Sequence, residues 1–276
     1  MSAGESPHPF DEFVQKPESE IRLAHAALLC ACDEYQGLTP ARYLQRLNAL
    51  ADRIDREDAF SAYDRVAALR QVLVEAELYR GNFEDFANPV NSYLNRVIDT
   101  RRGIPISLSA IWLDVAEQLG WPIVGVSLPG HFIIRYEGVG EEMLIDPFNG
   151  GRELTHDDCA HMLTTLFGDE FTLTDQHLVP AGTRAILARM LGNLYTTYVQ
   201  SGDFARTTCV LKRITALRPK DAMVRAELGR MQVLTGDLRG AAATLHQALD
   251  LADSDDERST VDHHTDELRA RMHEQN

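Results

Sequence analysis

The stretch that decides the fold is RRGIPISLSAIWLDVAEQLG (Arg101–Gly120), followed by GHFIIRY (Gly130–Tyr136) and LIDPF (Leu144–Phe148). The first segment predicts a helix that begins at Pro105, since proline is favoured at the first helical position, and that ends at Gly120. The two later segments are short, rich in β-branched residues and bounded by turn residues, so they predict antiparallel strands. The stretch therefore predicts a helix followed by a small antiparallel sheet.

Helical periodicity extends on the amino-terminal side of this stretch. Residues 1–17 are polar and predict a flexible lead, whereas apolar residues recur at three-to-four spacing from Glu18 onward. Thr39-Pro40 is typical of a helix start, and Gly81-Asn82 is typical of a helix stop. Together with the strands, these helices predict an α+β domain over residues 18–180.

Beyond Pro180 the sequence predicts helices alone, and it contains an internal repeat. Gly202-Asp203 and Gly236-Asp237 lie 34 residues apart, and leucines of the flanking helices recur at the same offset. That period is typical of tetratricopeptide helix pairs, in which a glycine permits close approach at the turn. Residues 181–276 therefore predict a tetratricopeptide-like helical repeat domain, which would present a groove to a protein or peptide partner.

The composition is that of an ordinary globular protein, with 44% hydrophobic and 25% charged residues. A formal net charge of −15 argues against nucleic acid and against an anionic membrane surface as partners. The sequence begins without the pattern of a secretory signal, and it has no apolar run long enough to cross a bilayer. Its four cysteines are scattered and are interpreted as small buried hydrophobes. We expect a cytoplasmic protein with reduced thiols, no cofactor and no metal ion.

Two polar residues point to the chemistry of a cysteine nucleophile. Such an enzyme needs a helix amino terminus that lowers the thiol pKa, a histidine that takes the proton, and a group that orients the histidine. His131 begins one predicted strand and Asp146 ends the next, so neighbouring strands could bring base and acid together. The position that needs the thiol, however, holds Pro105. The structural alternatives are a histidine in a Gly130 turn and an aspartate that forms a turn before Pro147.

Further polar residues lie before and at the start of the predicted helix. Ser107 is an alternative nucleophile, although a serine in the first turn more often caps the helix or bonds nearby backbone. Asn91, Asn95, Arg101 and Arg102 form a candidate binding cluster just before the helix. Arginine can neutralise a buried carboxylate or hold an anion through two hydrogen bonds, and the alternative is a solvated surface.

The run NPVNSYLNRVIDTRRGIPISLSAIWLDVAEQLGWP (88–122), with LPGHFIIRY (128–136) and LIDPFNGG (144–151), resembles the SirB family. Members of that family join a transglutaminase-like core domain to tetratricopeptide repeats, and they share the Gly-Ile-Pro-Ile-Ser form. In active transglutaminase-like enzymes the core helix starts with Gly-x-Cys, and here Gly103-Ile104-Pro105 occupies that place. The resemblance implies that His131 and Asp146 stand in the positions of the base and the orienting acid.

These observations lead to two hypotheses. The first is a pseudoenzyme: a transglutaminase-like protein that lacks the cysteine nucleophile and acts as a protein-binding or scaffolding unit through its helical repeats. The alternative is a hydrolase or acyltransferase that uses His131 and Asp146, with or without Ser107, on an amide or ester. Metal-dependent chemistry through His131 and Asp146 would need more ligands than the sequence places nearby.

Overall fold

A computed structural model describes residues 8–54 and 59–274 of the chain. The helices are α1 (Pro9–Phe13), α2 (Leu23–Ala31), α3 (Pro40–Asp52), α4 (Ala62–Arg70), α5 (Leu94–Thr100), α6 (Pro105–Leu119), α7 (His156–Phe167), α8 (Thr183–Ser201), α9 (Phe204–Leu217), α10 (Ala222–Thr235), α11 (Leu238–Leu251) and α12 (Asp255–Glu274). The strands are β1 (Arg80–Gly81), β2 (Arg102–Gly103), β3 (Ile123–Val126), β4 (Ile133–Gly138), β5 (Glu141–Asp146), β6 (Arg152–Leu154) and β7 (Pro180–Ala181). Short 3-10 helices cover Glu18–Glu20, Pro89–Ser92 and Asp175–Leu178, and a π-helix covers Gln71–Ala76.

The described residues fall into two compact units. Residues 17–190 form the first, and residues 8–16 with 191–274 form the second. Within the first unit an antiparallel sheet has the strand order β6-β5-β4-β3-β7. The first unit therefore combines helices with a small antiparallel sheet, which confirms the predicted α+β class. None of the helices in the described residues is both long and apolar enough to cross a membrane.

Helix α6 forms the core of the first unit and confirms the helix predicted from the sequence. Its residues are buried on nearly every side, with Trp112 only 1% exposed, as expected of a helix that is apolar all round. Pro105 occupies the first helical position, where its missing N–H leaves no unpaired donor. The helix ends at Gly120 with φ +69°, a conformation that side chains disfavour. The helix contacts α2, α3, β3 and β4.

One of the two charged side chains of this apolar helix is buried, and it is paired. The Asp114 side chain is fully buried, and its two carboxylate oxygens accept hydrogen bonds from Nε and Nη2 of Arg22, each at 2.8 Å. Gln118 donates a third hydrogen bond to Asp114 at 2.9 Å. Since an unpaired buried carboxylate is very unfavourable, Arg22 is needed to keep Asp114 inside the core.

The region between α4 and α5 is less regular than the sequence predicts. Helix α4 changes to the π-helix at Gln71, and Leu78, beyond the end of the π-helix, has a left-handed backbone with φ +63°. Gly81, predicted as a helix stop, lies instead in β1, where it pairs in parallel with Gly103 of β2. A Cβ atom at Gly81 would lie 2.7 Å from the Phe148 ring, so this position requires a residue without a side chain.

The second unit includes a helix within the predicted flexible lead. Residues 9–13 form α1, which contacts α9. The Arg213 side chain of α9 is 9% exposed, and its Nη1 donates to both carboxylate oxygens of Asp11 at 2.6 Å. A guanidinium with so little solvent requires an anionic partner, which explains the order of this segment. Residues 1–7 of the predicted lead lie outside the described residues.

Two helices of the second unit, α9 and α11, begin with the same local design. Gly202 and Gly236 precede α9 and α11 with φ +71° and +84°. Asp203 and Asp237 then cap these helices, because each side chain accepts a hydrogen bond from the backbone N–H three residues later, at 3.0 and 2.9 Å. At Gly229 a Cβ atom would lie 2.6 Å from a leucine of α11, so the missing side chain permits close packing of α10 on α11.

Candidate functional site

The structure brings His131 and Asp146 together. Nε2 of His131 lies 2.9 Å from Oδ2 of Asp146, and the two side chains are 11% and 1% exposed. The sheet register explains the contact, because Ile134 of β4 pairs with Ile145 of β5 and Asp146 is the last residue of β5. Gly130, with φ +70°, turns the chain into β4 and places His131 two residues before it.

Both carboxylate oxygens of Asp146 accept hydrogen bonds. Its Oδ1 accepts from the backbone N–H groups of Phe148 and Asn149, at 3.0 and 3.3 Å. Its Oδ2 accepts from Nδ2 of Asn149 at 2.7 Å as well as from His131. Burial raises the pKa of Asp146, but the hydrogen bonds and charge of His131 and the bonds from Asn149 outweigh it, so the pKa is lowered from 3.8. The carboxylate is therefore ionised at neutral pH.

The ionised carboxylate fixes the tautomer of His131. An acceptor at Oδ2 requires that Nε2 carry the hydrogen and donate it, which leaves the lone pair of the neutral ring on Nδ1. Nδ1 has no hydrogen-bond partner among residues 8–54 and 59–274. The pair thus presents an oriented imidazole whose Nδ1 can accept a proton or a hydrogen bond.

Sequence reasoning missed two residues that position this pair. Asn149 lies within the quoted LIDPFNGG segment, and an amide three residues after an aspartate in a turn was the available signal. Arg189 of α8 donates from Nη2 to the backbone carbonyl of His131 at 2.7 Å and from Nη1 to the hydroxyl of Ser127. Burial of the guanidinium lowers the pKa of Arg189. No local pattern could have revealed Arg189, which lies 58 residues beyond His131.

The start of α6 connects to the pair through an aromatic ring. Gly103, two residues before Pro105, pairs with Gly81, whose N–H donates to the carbonyl of Phe148 at 3.2 Å. The Phe148 ring in turn lies edge-on to His131, with 6.1 Å between the ring centroids. Pro105 is buried at the first helical position and offers no ionisable atom.

Ser107 is used by the fold itself. It is fully buried, and its Oγ accepts a hydrogen bond from the N–H of Ile104 at 3.1 Å. The same hydroxyl donates to the carbonyl of Asn91 at 2.7 Å. Both roles of the hydroxyl are therefore satisfied by backbone, as in a serine that stabilises a helix start.

One thiol lies near Asp146, and it is not activated. Cys159 of α7 is fully buried in an apolar cluster with residues of β3, β4 and β5. Burial, together with the negative charges of Asp158 and Asp146, raises the pKa of Cys159 to about 11. A nucleophilic cysteine needs the opposite shift, because the thiolate is the reactive species.

The cluster before α6 makes contacts within the protein. Asn91 is 3% exposed and donates from Nδ2 to the backbone carbonyl of residue 85 at 2.6 Å. Arg101 pairs with Glu77 at 2.6 Å, and Arg102 lies 3.5 Å from a backbone carbonyl. Asn95 is 2% exposed, and its Oδ1 has no partner in the described part of the chain. The four residues thus do not converge on one open site.

A possible metal-ligand group lies elsewhere. Ligand atoms of His263, His264 and Glu267 on α12 are within 4.8 Å of one another, and this is the only such group of three in residues 8–54 and 59–274. His131 and Asp146 do not belong to it.

The chain is similar to a family model and to several known proteins. The family model described as the transglutaminase-like superfamily matches residues 41–192, which include His131 and Asp146. A UPF0162 protein of Xylella fastidiosa (strain 9a5c) is 33% identical over 239 residues, which cover 85% of each chain. A UPF0162 protein of Pseudomonas aeruginosa is 30% identical over 215 residues, or 77% of each chain. F-box only protein 21 of Mus musculus is 34% identical over 143 residues, which are 49% of this chain and 22% of that protein. No solved structure shows significant similarity.

Proposed function

The chain belongs to the transglutaminase-like superfamily, and from this premise we propose that it lacks the cysteine nucleophile and acts as a non-catalytic protein-binding or scaffolding unit. The main support is the start of α6, where Pro105 occupies the first helical position, the place at which the resemblance to active transglutaminase-like enzymes would put the cysteine. Ser107 is bonded to backbone, and burial raises the pKa of Cys159 to about 11. Neither residue can replace the missing thiol without rearrangement.

The helical repeats are the proposed binding module. The 34-residue period supports a tetratricopeptide-like assignment for residues 181–276, and so do the matching glycine turns and aspartate caps of α9 and α11. The resemblance to the SirB family supports the same assignment. We propose that these helices bind a protein or peptide partner in the cytoplasm.

A capture experiment with the full chain tests this role. Chemical cross-linking in a cell extract, followed by mass spectrometry, should join a retained partner to residues within 181–274. Leu234 of α10 is 47% exposed, and a Leu234→Glu substitution there should weaken the capture. Cross-links confined to residues 17–180 would contradict a binding role for the repeats.

The His131–Asp146 pair supports an enzymatic alternative. The observation that favours this alternative is the oriented Nδ1 of His131. This nitrogen could take a proton from water as the water oxygen attacks an amide or ester carbonyl. The same proton would then pass from Nδ1 to the leaving nitrogen or oxygen, so that the carbonyl–heteroatom bond breaks. This route needs no cysteine.

An activity screen separates the two functions. The full chain and its His131→Ala variant are assayed on amide, ester and glutamine-donor substrates. A non-catalytic protein gives equal background rates for both. Turnover by the wild type that is lost in His131→Ala but retained in Ser107→Ala would favour the hydrolase and would overturn our proposal.

A further inference from the structure

Two exposed loops of similar composition contact neighbours of His131, the first at Phe148 and the second at Gly130. The first, NFEDF, spans residues 82–86, and the second, FGDEF, spans residues 167–171 and begins at the last residue of α7. Phe83 and Phe86 on the first loop are 66% and 51% exposed. Leu166, which precedes the second loop, and Phe167 within it are 53% and 50% exposed. Large apolar side chains grouped at the surface are typical of interaction sites.

The first loop is built against the site. Its rings of Phe83 and Phe86 lie 4.5 and 5.8 Å from the ring of Phe148, measured between centroids, and Phe148 contacts His131. The buried Asn91 holds the loop, because its Oδ1 accepts from the side chain of residue 82 at 3.0 Å and its Nδ2 donates to the carbonyl of residue 85. A loop fixed in this way loses little conformational entropy when a ligand binds.

The second loop reaches the site from the residue before His131. A Cβ atom at Gly130 would lie 2.9 Å from Cδ1 of Leu166 and 3.4 Å from the ring of Phe167. The ring of Phe167 also packs on Phe171, with centroids 5.1 Å apart. The first loop thus contacts Phe148, which packs against His131, and the second lies against Gly130, the residue before His131.

The charge of the two loops is uniformly negative. Glu84 and Asp85 on the first loop and Asp169 and Glu170 on the second are exposed, and none forms an ion pair with a residue that the structure describes. Nδ1 of His131 is a hydrogen-bond acceptor in the neutral ring. Carboxylates, an acceptor nitrogen and aromatic faces all favour a cationic hydrogen-bond donor, and aromatic faces also attract cations directly.

We propose that the surface around His131 binds a basic segment of a protein partner, with a lysine or arginine directed at Nδ1 and apolar neighbours packed on the two loops. Charge complementarity selects this occupant. The inference rests on the proposed protein-binding function but uses residues of the first unit, so it adds a second binding surface to that of the helical repeats.

Labelled synthetic peptides test the inference with the purified full chain. A 12-residue peptide of alternating lysine and leucine is compared, by fluorescence anisotropy, with peptides in which glutamate replaces lysine or serine replaces leucine. The lysine–leucine peptide should bind at least tenfold more tightly than either, and added salt should weaken its binding. Equal binding of the lysine and glutamate peptides would overturn the inference.

Variants locate the binding surface. Glu84→Gln with Glu170→Gln should weaken binding of the lysine–leucine peptide about tenfold, and Phe83→Ala with Phe86→Ala should do the same. The matched control, Asp253→Asn with Asp255→Asn, removes two exposed charges of the second unit and should leave the affinity unchanged. Equal losses in the loop and control variants would mean a general charge effect and would refute the assignment.

Two further measurements exclude other occupants. Sedimentation of the wild type and of the variant with Glu84→Gln and Glu170→Gln reports self-association. A dimer that forms in the wild type but not in the variant would assign the surface to a second copy of the chain. Spermidine that binds as tightly as the peptide would assign it to free polyamines. Leu234→Glu should leave peptide affinity intact, so a failed peptide experiment and a failed capture through the repeats remain distinguishable.

Discussion

Asp146→Asn offers the sharpest test of the candidate site. The substitution keeps the shape of the side chain but replaces one acceptor oxygen by a donor amide. Oδ1 can still accept the N–H groups of Phe148 and Asn149, whereas the new amide would face two donors, Nε2–H of His131 and Nδ2 of Asn149. The repulsion between the new amide and the Nε2–H of His131 is removed only if the hydrogen of His131 moves from Nε2 to Nδ1.

The expected loss of stability follows from these contacts. A hydrogen bond to a charged group contributes about 1.5–3 kcal/mol, so losing the ionised acceptor should lower the free energy of unfolding by about 2–3 kcal/mol at pH 7. For a unit of 150–250 residues this corresponds to a fall in Tm of about 4–12 °C. Urea denaturation and calorimetry measure the two quantities. Glu153→Gln on β6 is a matched control, because this side chain is exposed and makes no hydrogen bond to a described residue.

The pH dependence has a defined sign. The folded pKa of Asp146 is lowered from 3.8, so its stabilisation is complete above the unfolded pKa of about 3.9 and is lost as pH falls through the folded pKa. The stability gap between wild type and Asp146→Asn should be largest at neutral pH and should narrow below pH of about 4. Nitrogen NMR should show the hydrogen of neutral His131 on Nε2 in wild type and on Nδ1 in the variant. A gap that is absent, or that does not change with pH, would refute the reasoning.

Three further predictions concern the core. Ser107→Ala should lower the free energy of unfolding by about 1–3 kcal/mol in urea denaturation, because it leaves two buried backbone groups without partners; unchanged stability would contradict a structural role. In native protein, iodoacetamide should modify the exposed Cys209 well before Cys159, whose thiol is buried and whose pKa is raised to about 11; early alkylation of Cys159, seen by mass spectrometry, would mean that this region opens. Arg22→Met should lower the free energy of unfolding by about 3–5 kcal/mol, since it leaves the buried Asp114 carboxylate unpaired, whereas a small loss would mean that water or another donor replaces the guanidinium.

The sequence predicts the elements whose signals are local. Pro105 and Gly120 mark the ends of α6 because each has a backbone preference that other residues lack. The proximity of His131 and Asp146 was also predictable, since consecutive short strands pair in antiparallel fashion and place the start of one beside the end of the other.

Other parts of the site depend on contacts between distant residues. Gly81 has the local pattern of a helix stop, but its need for no side chain comes from the Phe148 ring, which lies far along the chain. Arg189 acts on the carbonyl of His131 through a contact between elements, and nothing in its neighbours distinguishes it from a surface arginine. Asn91 likewise has the pattern of a polar surface residue, whereas the fold buries it beneath a loop.

The buried Asn91 also has a consequence for local motion. Its carbonyl accepts from the hydroxyl of Ser107 in the first turn of α6, and its side chain holds the loop of residues 82–86. Opening the loop therefore disturbs the same residue that anchors the helix start. Amide hydrogens of the loop and of Ile104 should exchange with deuterium as one cooperative unit, with a shared opening free energy. A substitution at residue 105 or 107 should then first change the frequency at which the loop of residues 82–86 opens.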